Sequence, residues 1–159
     1  MIAPRWWMDG RIHKAGPTPK QNTLFFEEVT HLYTEFGLGG AYPHLFGTET
    51  YRQSIVSRET KAAWCDYWQH PENNCPGKPA KDPDGDCSDA SCNATEFLFA
   101  VVANLSGNDL GDEYPGLEKT ENALRNVLSE DFLELLENPD YGLPTQAFDY
   151  TYPLDLALK

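Results

Sequence analysis

Thr95-Glu96-Phe97-Leu98-Phe99-Ala100-Val101-Val102-Ala103 is the stretch that decides the fold class predicted for this chain. It is short, apolar throughout from Phe97 onward, and rich in aromatic and β-branched residues, which favours a buried strand. A second candidate strand covers residues 148–158. Its alternating apolar residues are Phe148, Tyr150, Tyr152, Leu154, Leu156 and Leu158. Such alternation is typical of a half-buried strand, and Pro153 predicts that this strand lies at a sheet edge.

Two helices complete the predicted core. The first begins after Asn22 or Thr23, and the glycine cluster 37–40 is expected to end it. Its apolar residues fall on one face, which we expect to point inward: Phe25, Val29, Leu32 and Phe36. The second begins at Pro115 and stops at Asn138-Pro139. Its inward residues are expected to be Leu117, Leu124, Leu128, Phe132 and Leu135.

These elements predict one α+β domain, with two main helices packed on a mainly antiparallel sheet. The domain covers residues 22–159, and a long Cys/Asp-rich loop is inserted at residues 70–93. Residues 49–69 fit either a two-sided strand or one face of a helix. Residues 1–21 are predicted to be an extended N-terminal arm, because their prolines prevent a long helix.

The four cysteines, Cys65, Cys75, Cys87 and Cys92, all lie in or beside that loop. Their spacing contains no CxxC pair, so a zinc finger is not predicted. The even count favours disulfides; Cys65–Cys75 with Cys87–Cys92 is the simplest pairing, and the other pairings stay open. Disulfides would place the protein in an oxidising setting, extracellular or in a virion, although the N-terminal residues lack the apolar core of a signal peptide. Asn93 and Asn104 begin glycosylation sequons.

The loop is also strongly acidic. Counted from Asp82, it has the residues Asp82, Asp84, Asp86 and Ser88 at positions 1, 3, 5 and 7 of a calcium loop, with Asp89 following. It resembles the EF-hand loop and the Asp- and Cys-rich calcium repeats of thrombospondins, and this resemblance implies bound calcium. Two positions depart from the pattern: Cys87 replaces the turn glycine, and Asn93 replaces the bidentate glutamate. The alternative is a solvated acidic loop.

The net charge of −13 is placed unevenly along the chain. Residues 1–71 carry equal numbers of acidic and basic side chains, so all the excess negative charge belongs to residues 72–159. Such a surface repels nucleic-acid phosphates and anionic lipid heads and favours basic partners. No apolar run approaches the ~20 residues of a membrane helix, so membrane insertion is not expected.

No motif predicts an enzyme. The histidines are scattered, and pairing Cys65 as a nucleophile with His70 would require a free thiol. We therefore expect a non-enzymatic assembly subunit of an extracellular or virion assembly with protein partners. It would dock through Trp6 and Trp7 of the arm and through Tyr150 and Tyr152 of the C-terminal edge strand. The alternatives are a secreted calcium-stabilised binding module and an acidic inhibitor that mimics DNA.

Overall fold

The computed structural model of the chain describes residues 19–49, 53–68, 90–108, 117 and 121–146, with side chains from residue 25 onward. In this part of the chain 71% of the residues are helical, and it contains no strand or sheet. The predicted α+β fold on an antiparallel sheet is therefore wrong. The described residues form a layered packing of helices.

Nine segments follow one another within the described ranges. They are α1 (Pro19–His31), a π-helical segment (Leu32–Leu38), α2 (Gly39–Ala41), α3 (Pro43–Phe46), α4 (Ile55–Ala63), α5 (Ala90–Leu105), α6 (Glu121–Arg125), α7 (Glu130–Glu137) and a 3-10 turn (Pro139–Tyr141). The first three run on without a break, and we call them the first helical rod. Gly39 has φ −63° and ψ −34°, so the glycine cluster does not end this helix as predicted.

The predicted strand at 95–103 is instead the middle of α5. Ten of the sixteen residues of α5 are buried, from Asn93 to Ala103 with the sole exception of Glu96. An apolar run without a period fits a fully buried helix as well as a buried strand. The neighbouring elements decide between them, because α5 is surrounded by helices and so has apolar residues on every side.

Aromatic contacts join three of these neighbours to α5. The ring of Phe26 on α1 lies 5.7 Å from that of Phe99. The buried ring of Trp68, just after α4, lies 5.2 Å from Phe97. Phe97 also stacks on Phe132 of α7 at 6.0 Å. The core of the described protein is therefore centred on α5.

The ambiguous segment 49–69 contains α4, so the helical alternative holds from Ile55 to Ala63. Ser54 caps this helix: its hydroxyl accepts a hydrogen bond from the Ser57 N–H at 2.9 Å and donates one to the Gly47 carbonyl. Such a cap satisfies a backbone donor that the helix itself leaves without a partner. After α4 the chain turns tightly through Cys65, whose φ is +64°.

The second predicted helix is divided into α6 and α7. Its predicted inward residues are all buried, although Leu117 and Leu128 lie outside the two helices: Leu117, Leu124, Leu128, Phe132 and Leu135. A turn at residues 126–129 separates the two helices, since Ser129 takes an extended conformation and becomes the N-cap of α7. Glu137 is the last residue of α7, as the Asn138-Pro139 pair predicts.

Several predictions fall outside the described residues. These are the C-terminal strand 148–158, residues 70–89 of the inserted loop, and residues 1–18 of the arm. α1 begins at Pro19, inside the segment predicted as the arm. Across the described ranges, no helix combines the length and the apolar character that crossing a membrane requires.

Candidate functional site: an exposed apolar stripe

The first helical rod displays its apolar residues to solvent. Phe36 is 70% exposed and Leu32 is 64% exposed, while Phe25 and Val29 are 44% and 41% exposed. These four residues are the ones predicted to face inward, so that orientation is wrong. We call them the exposed stripe.

The buried face of the rod is a different row. It consists of Phe26, Thr30, Thr34 and Leu38, none more than 6% exposed. Two of these four residues are threonines. The Thr34 hydroxyl can be buried because it donates a hydrogen bond to the Thr30 carbonyl at 2.8 Å. The rod thus buries hydroxyl groups and exposes two phenylalanines.

The π-helical segment explains how that row stays on one face. In a regular α-helix, residues four apart drift by about 40° around the axis at each step, so a long row of this kind rotates away from the core. A π-helix closes its hydrogen bonds over five residues, as the Gly39 N–H does to the Thr34 carbonyl. It therefore turns less per residue and brings Thr34 and Leu38 back under Phe26 and Thr30.

Two contacts hold this orientation at the end of the rod. A Cβ at Gly39 would lie 3.6 Å from the Phe46 carbonyl oxygen, an ordinary van der Waals distance, so α3 lies directly beside the rod there. The Tyr33 hydroxyl donates to the Tyr141 carbonyl at 2.6 Å. The ring of Tyr141 in turn packs on Phe46 at 5.0 Å. The stripe cannot rotate inward without breaking these contacts.

The stripe has the geometry of a binding seam for another apolar segment. Its residues follow one another at intervals of four, three and four, so they form one row along the rod. Glu28 is exposed and Glu35 half-buried beside this seam. An apolar segment that carries basic side chains would match both features.

A buried carboxylate elsewhere in the fold is structural. Glu59, 6% exposed, accepts hydrogen bonds from the Tyr67 hydroxyl at 2.7 Å and from the Ser129 N–H at 3.1 Å, and also from the Ser129 hydroxyl. Burial, and then the bond to Glu59, raise the pKa of Tyr67 above its ordinary value. This carboxylate therefore joins α4 to the N-terminus of α7, and both of its oxygens are used.

A cavity of about 560 Å³ lies between the end of α5, α6, α7 and the residues that follow Tyr141. Its charged groups bind one another: Arg125 pairs with Glu121 at 3.0 Å and with Glu137. The hydrogen bonds that Arg125 donates to Glu137 and Glu121 raise its pKa. No cysteine or histidine is among the described residues that line this cavity, so the cavity provides neither a cysteine nucleophile nor a histidine general base.

Most residues predicted as sites lie outside the described ranges. These are Trp6, Trp7, Tyr150 and Tyr152 of the predicted interface, the calcium ligands Asp82, Asp84, Asp86, Ser88 and Asp89, and the cysteines Cys75 and Cys87. Their predicted roles stay predictions.

The other predicted site residues are placed by the fold. Cys65 lies in the turn after α4 and Cys92 in the first turn of α5; neither is a free thiol, and the pairing of the four cysteines stays a prediction. Asn93 is 2% exposed and Asn104 half-buried on α5. Glycosylation of Asn93 would require exposure of a side chain that this fold buries.

The outward orientation of the stripe was missed because its spacing equals that of a core-facing helix. The sequence signal for an outward stripe was the second row at intervals of four, from Phe26 to Leu38. A regular α-helix does not keep such a row on one face.

Comparisons of the chain with protein-family models, with curated proteins and with solved structures found no match.

Proposed function

We propose that this protein is a non-enzymatic assembly subunit, and that its exposed stripe receives the N-terminal arm of a second copy of the same chain. The observation that carries the proposal is the 64% and 70% exposure of Leu32 and Phe36 on a helical rod that is fixed in place. Large apolar side chains that line up on one exposed face are a mark of protein–protein contact.

The arm has the complementary chemistry. Residues 1–18 contain Trp6 and Trp7 together with other apolar side chains, and aromatic residues of this kind are enriched in the centres of interfaces. Residues 1–18 of the arm carry Arg5, Arg11 and Lys14 against the single acid Asp9, in a chain whose net charge is −13. These basic residues suit a seam flanked by Glu28 and Glu35, within a strongly acidic protein.

The length of the arm is sufficient. Eighteen extended residues span up to about 60 Å, whereas the stripe from Phe25 to Phe36 is about 16 Å long. The stripe is exposed among the described residues, so its surface is open to a second chain. Each copy carries both an apolar arm and an apolar stripe, so two copies can each place an arm on the stripe of the other.

The assembly is proposed to act in an extracellular or virion setting, on the strength of the four clustered cysteines. The predicted edge strand at 148–158 would offer a second contact, and it lies outside the described residues.

The test is the oligomeric state of the full chain at several concentrations, measured by light scattering after size exclusion. We expect a species of at least twice the chain mass of 17.9 kDa. Phe36→Glu is expected to return the protein to the monomer, because a carboxylate cannot enter an apolar seam without a partner.

The matched control is Val127→Glu. Val127 is also an exposed apolar residue, at 38%, but it lies in the turn after α6 and away from the stripe. It should leave the oligomer intact. A wild-type protein that stays monomeric at high concentration, or a Phe36→Glu variant that assembles like the wild type, would remove the proposal.

A further inference from the structure

Three partly buried side chains with metal-binding atoms converge where the first helical rod meets α5. They are Glu27 and His31 of α1 and Glu96 of α5, and one ligand atom from each lies within 4.8 Å of the other two. Glu27 and His31 are four residues apart, so they project from the same face of α1. Glu96 is the one residue between Asn93 and Ala103 that is not buried, and it meets them from the neighbouring helix.

The histidine supplies an independent observation that points to a ligand. Its Nε2 atom is fully buried and has no hydrogen-bond partner. The nearest carboxylate oxygen, Glu96 Oε2, is 3.7 Å away, which is too far for a hydrogen bond. A buried polar atom left in this way costs free energy unless something binds it.

The ring of His31 is held in position by its surroundings. It meets Phe99 edge to face, with 5.5 Å between the ring centroids and an interplanar angle of 84°. The His31 and Glu96 side chains are only 16% and 18% exposed, so both are largely shielded from solvent. The donor atoms are thus arranged before any ligand arrives.

We propose that Glu27, His31 and Glu96 form a binding site for a divalent transition-metal ion of the zinc type. One imidazole and two carboxylates suit such ions, whereas calcium and magnesium prefer oxygen ligands throughout. An ion about 2.1 Å from each donor can bridge donors up to about 4.2 Å apart, which the His31–Glu96 pair already satisfies. Three protein ligands leave a fourth tetrahedral position for water.

This site is separate from the exposed stripe. Because each residue of an α-helix turns by about 100°, Glu27 lies about 200° around α1 from Phe25. A metal ion held here would join α1 to α5 on the inner side while the stripe stays open on the outer side. The site therefore stabilises the helix that presents the stripe, and it does not depend on what the stripe binds.

The test uses the full-length protein with zinc chloride as the probe, and isothermal titration calorimetry as the measurement. The wild type should bind zinc with a component that His31→Gln weakens at least about 10-fold, as the loss of a ligand requires. Glu96→Gln should act in the same direction. The matched controls are His44→Gln and Glu134→Gln, exposed residues of the same types outside the cluster, and they should bind as the wild type does.

Absence of zinc binding in the wild type would overturn the proposal, and so would zinc binding by His31→Gln that equals the wild type. If His31→Gln fails to fold, a measurement on the wild-type protein still tests whether His31 binds zinc. Imidazole nitrogen NMR of the ¹⁵N-labelled wild type should show that zinc shifts the Nε2 resonance of His31. An unchanged His31 resonance at saturating zinc would contradict the site.

Discussion

Thr34 is 1% exposed, while Phe36, two residues later on the same π-helical segment, is 70% exposed. The polar side chain is inside and the large apolar one is outside, which reverses the usual preference. The buried Thr34 hydroxyl donates a hydrogen bond to the Thr30 carbonyl. The exposed ring of Phe36 gains no comparable interaction from water. An arrangement of this kind is expected where the apolar face is kept for another chain.

Two phenylalanines of the first helical rod should respond differently to truncation. Phe26 is 3% exposed and packs on Phe99, so Phe26→Ala should lower the free energy of unfolding by about 3–5 kcal/mol. Phe36 is 70% exposed in the stripe, and Phe36→Ala should change the free energy of unfolding of the monomer by no more than about 0.5 kcal/mol. Urea denaturation at low protein concentration measures both. Equal losses would mean that Phe36 is also part of the core.

The two glycines at the end of the rod make a matched pair. Gly40 has open space where a Cβ would stand, so Gly40→Ala should stabilise the protein by up to about 1 kcal/mol through helix propensity. A Cβ at Gly39 would lie 3.2 Å from the Thr34 carbonyl oxygen, closer than an ordinary contact, so Gly39→Ala should destabilise the protein by about 1 kcal/mol. Thermal and urea unfolding of the two variants give the signs. If Gly39→Ala were as stabilising as Gly40→Ala, the tight contact between Gly39 and the Thr34 carbonyl would be wrong.

Glu59 should be important for stability because its side chain joins α4 to α7. Glu59→Ala removes the acceptor of the Tyr67 hydroxyl and of the Ser129 N–H and hydroxyl. Leaving these donors without their partner should cost about 1–3 kcal/mol of unfolding free energy. Glu134→Ala, an exposed change on α7, is the control and should stay within about 0.5 kcal/mol of the wild type. A loss no larger than that of the control would show that the network adds nothing to stability.

The sequence predicted some packing correctly where the helical period was strong. Leu124, Phe132 and Leu135 are buried as expected, and the Asn138-Pro139 pair marks the end of α7. The period identifies a face of each helix, and proline limits where a helix continues. Neither signal depends on distant parts of the chain.

The errors arise where tertiary contacts override local pattern. The stretch 95–103 carries no period, and only the helices around α5 make it a helix instead of a strand. The apolar face at Phe36 was assigned to the core because period alone does not say which side meets the rest of the protein. The cluster of Glu27, His31 and Glu96 joins residues about seventy positions apart, so sequence spacing gave no sign of it.

The most direct test of arm exchange mixes two defective variants of the full chain. Phe36→Glu keeps an intact arm but has a damaged stripe, while the double variant Trp6→Ser/Trp7→Ser keeps the stripe and has a damaged arm. Native mass spectrometry should find each variant monomeric alone and a one-to-one heterodimer on mixing, joined by the single intact arm and the single intact stripe. Two monomers that stay apart when mixed, under conditions in which the wild type assembles, would contradict the account.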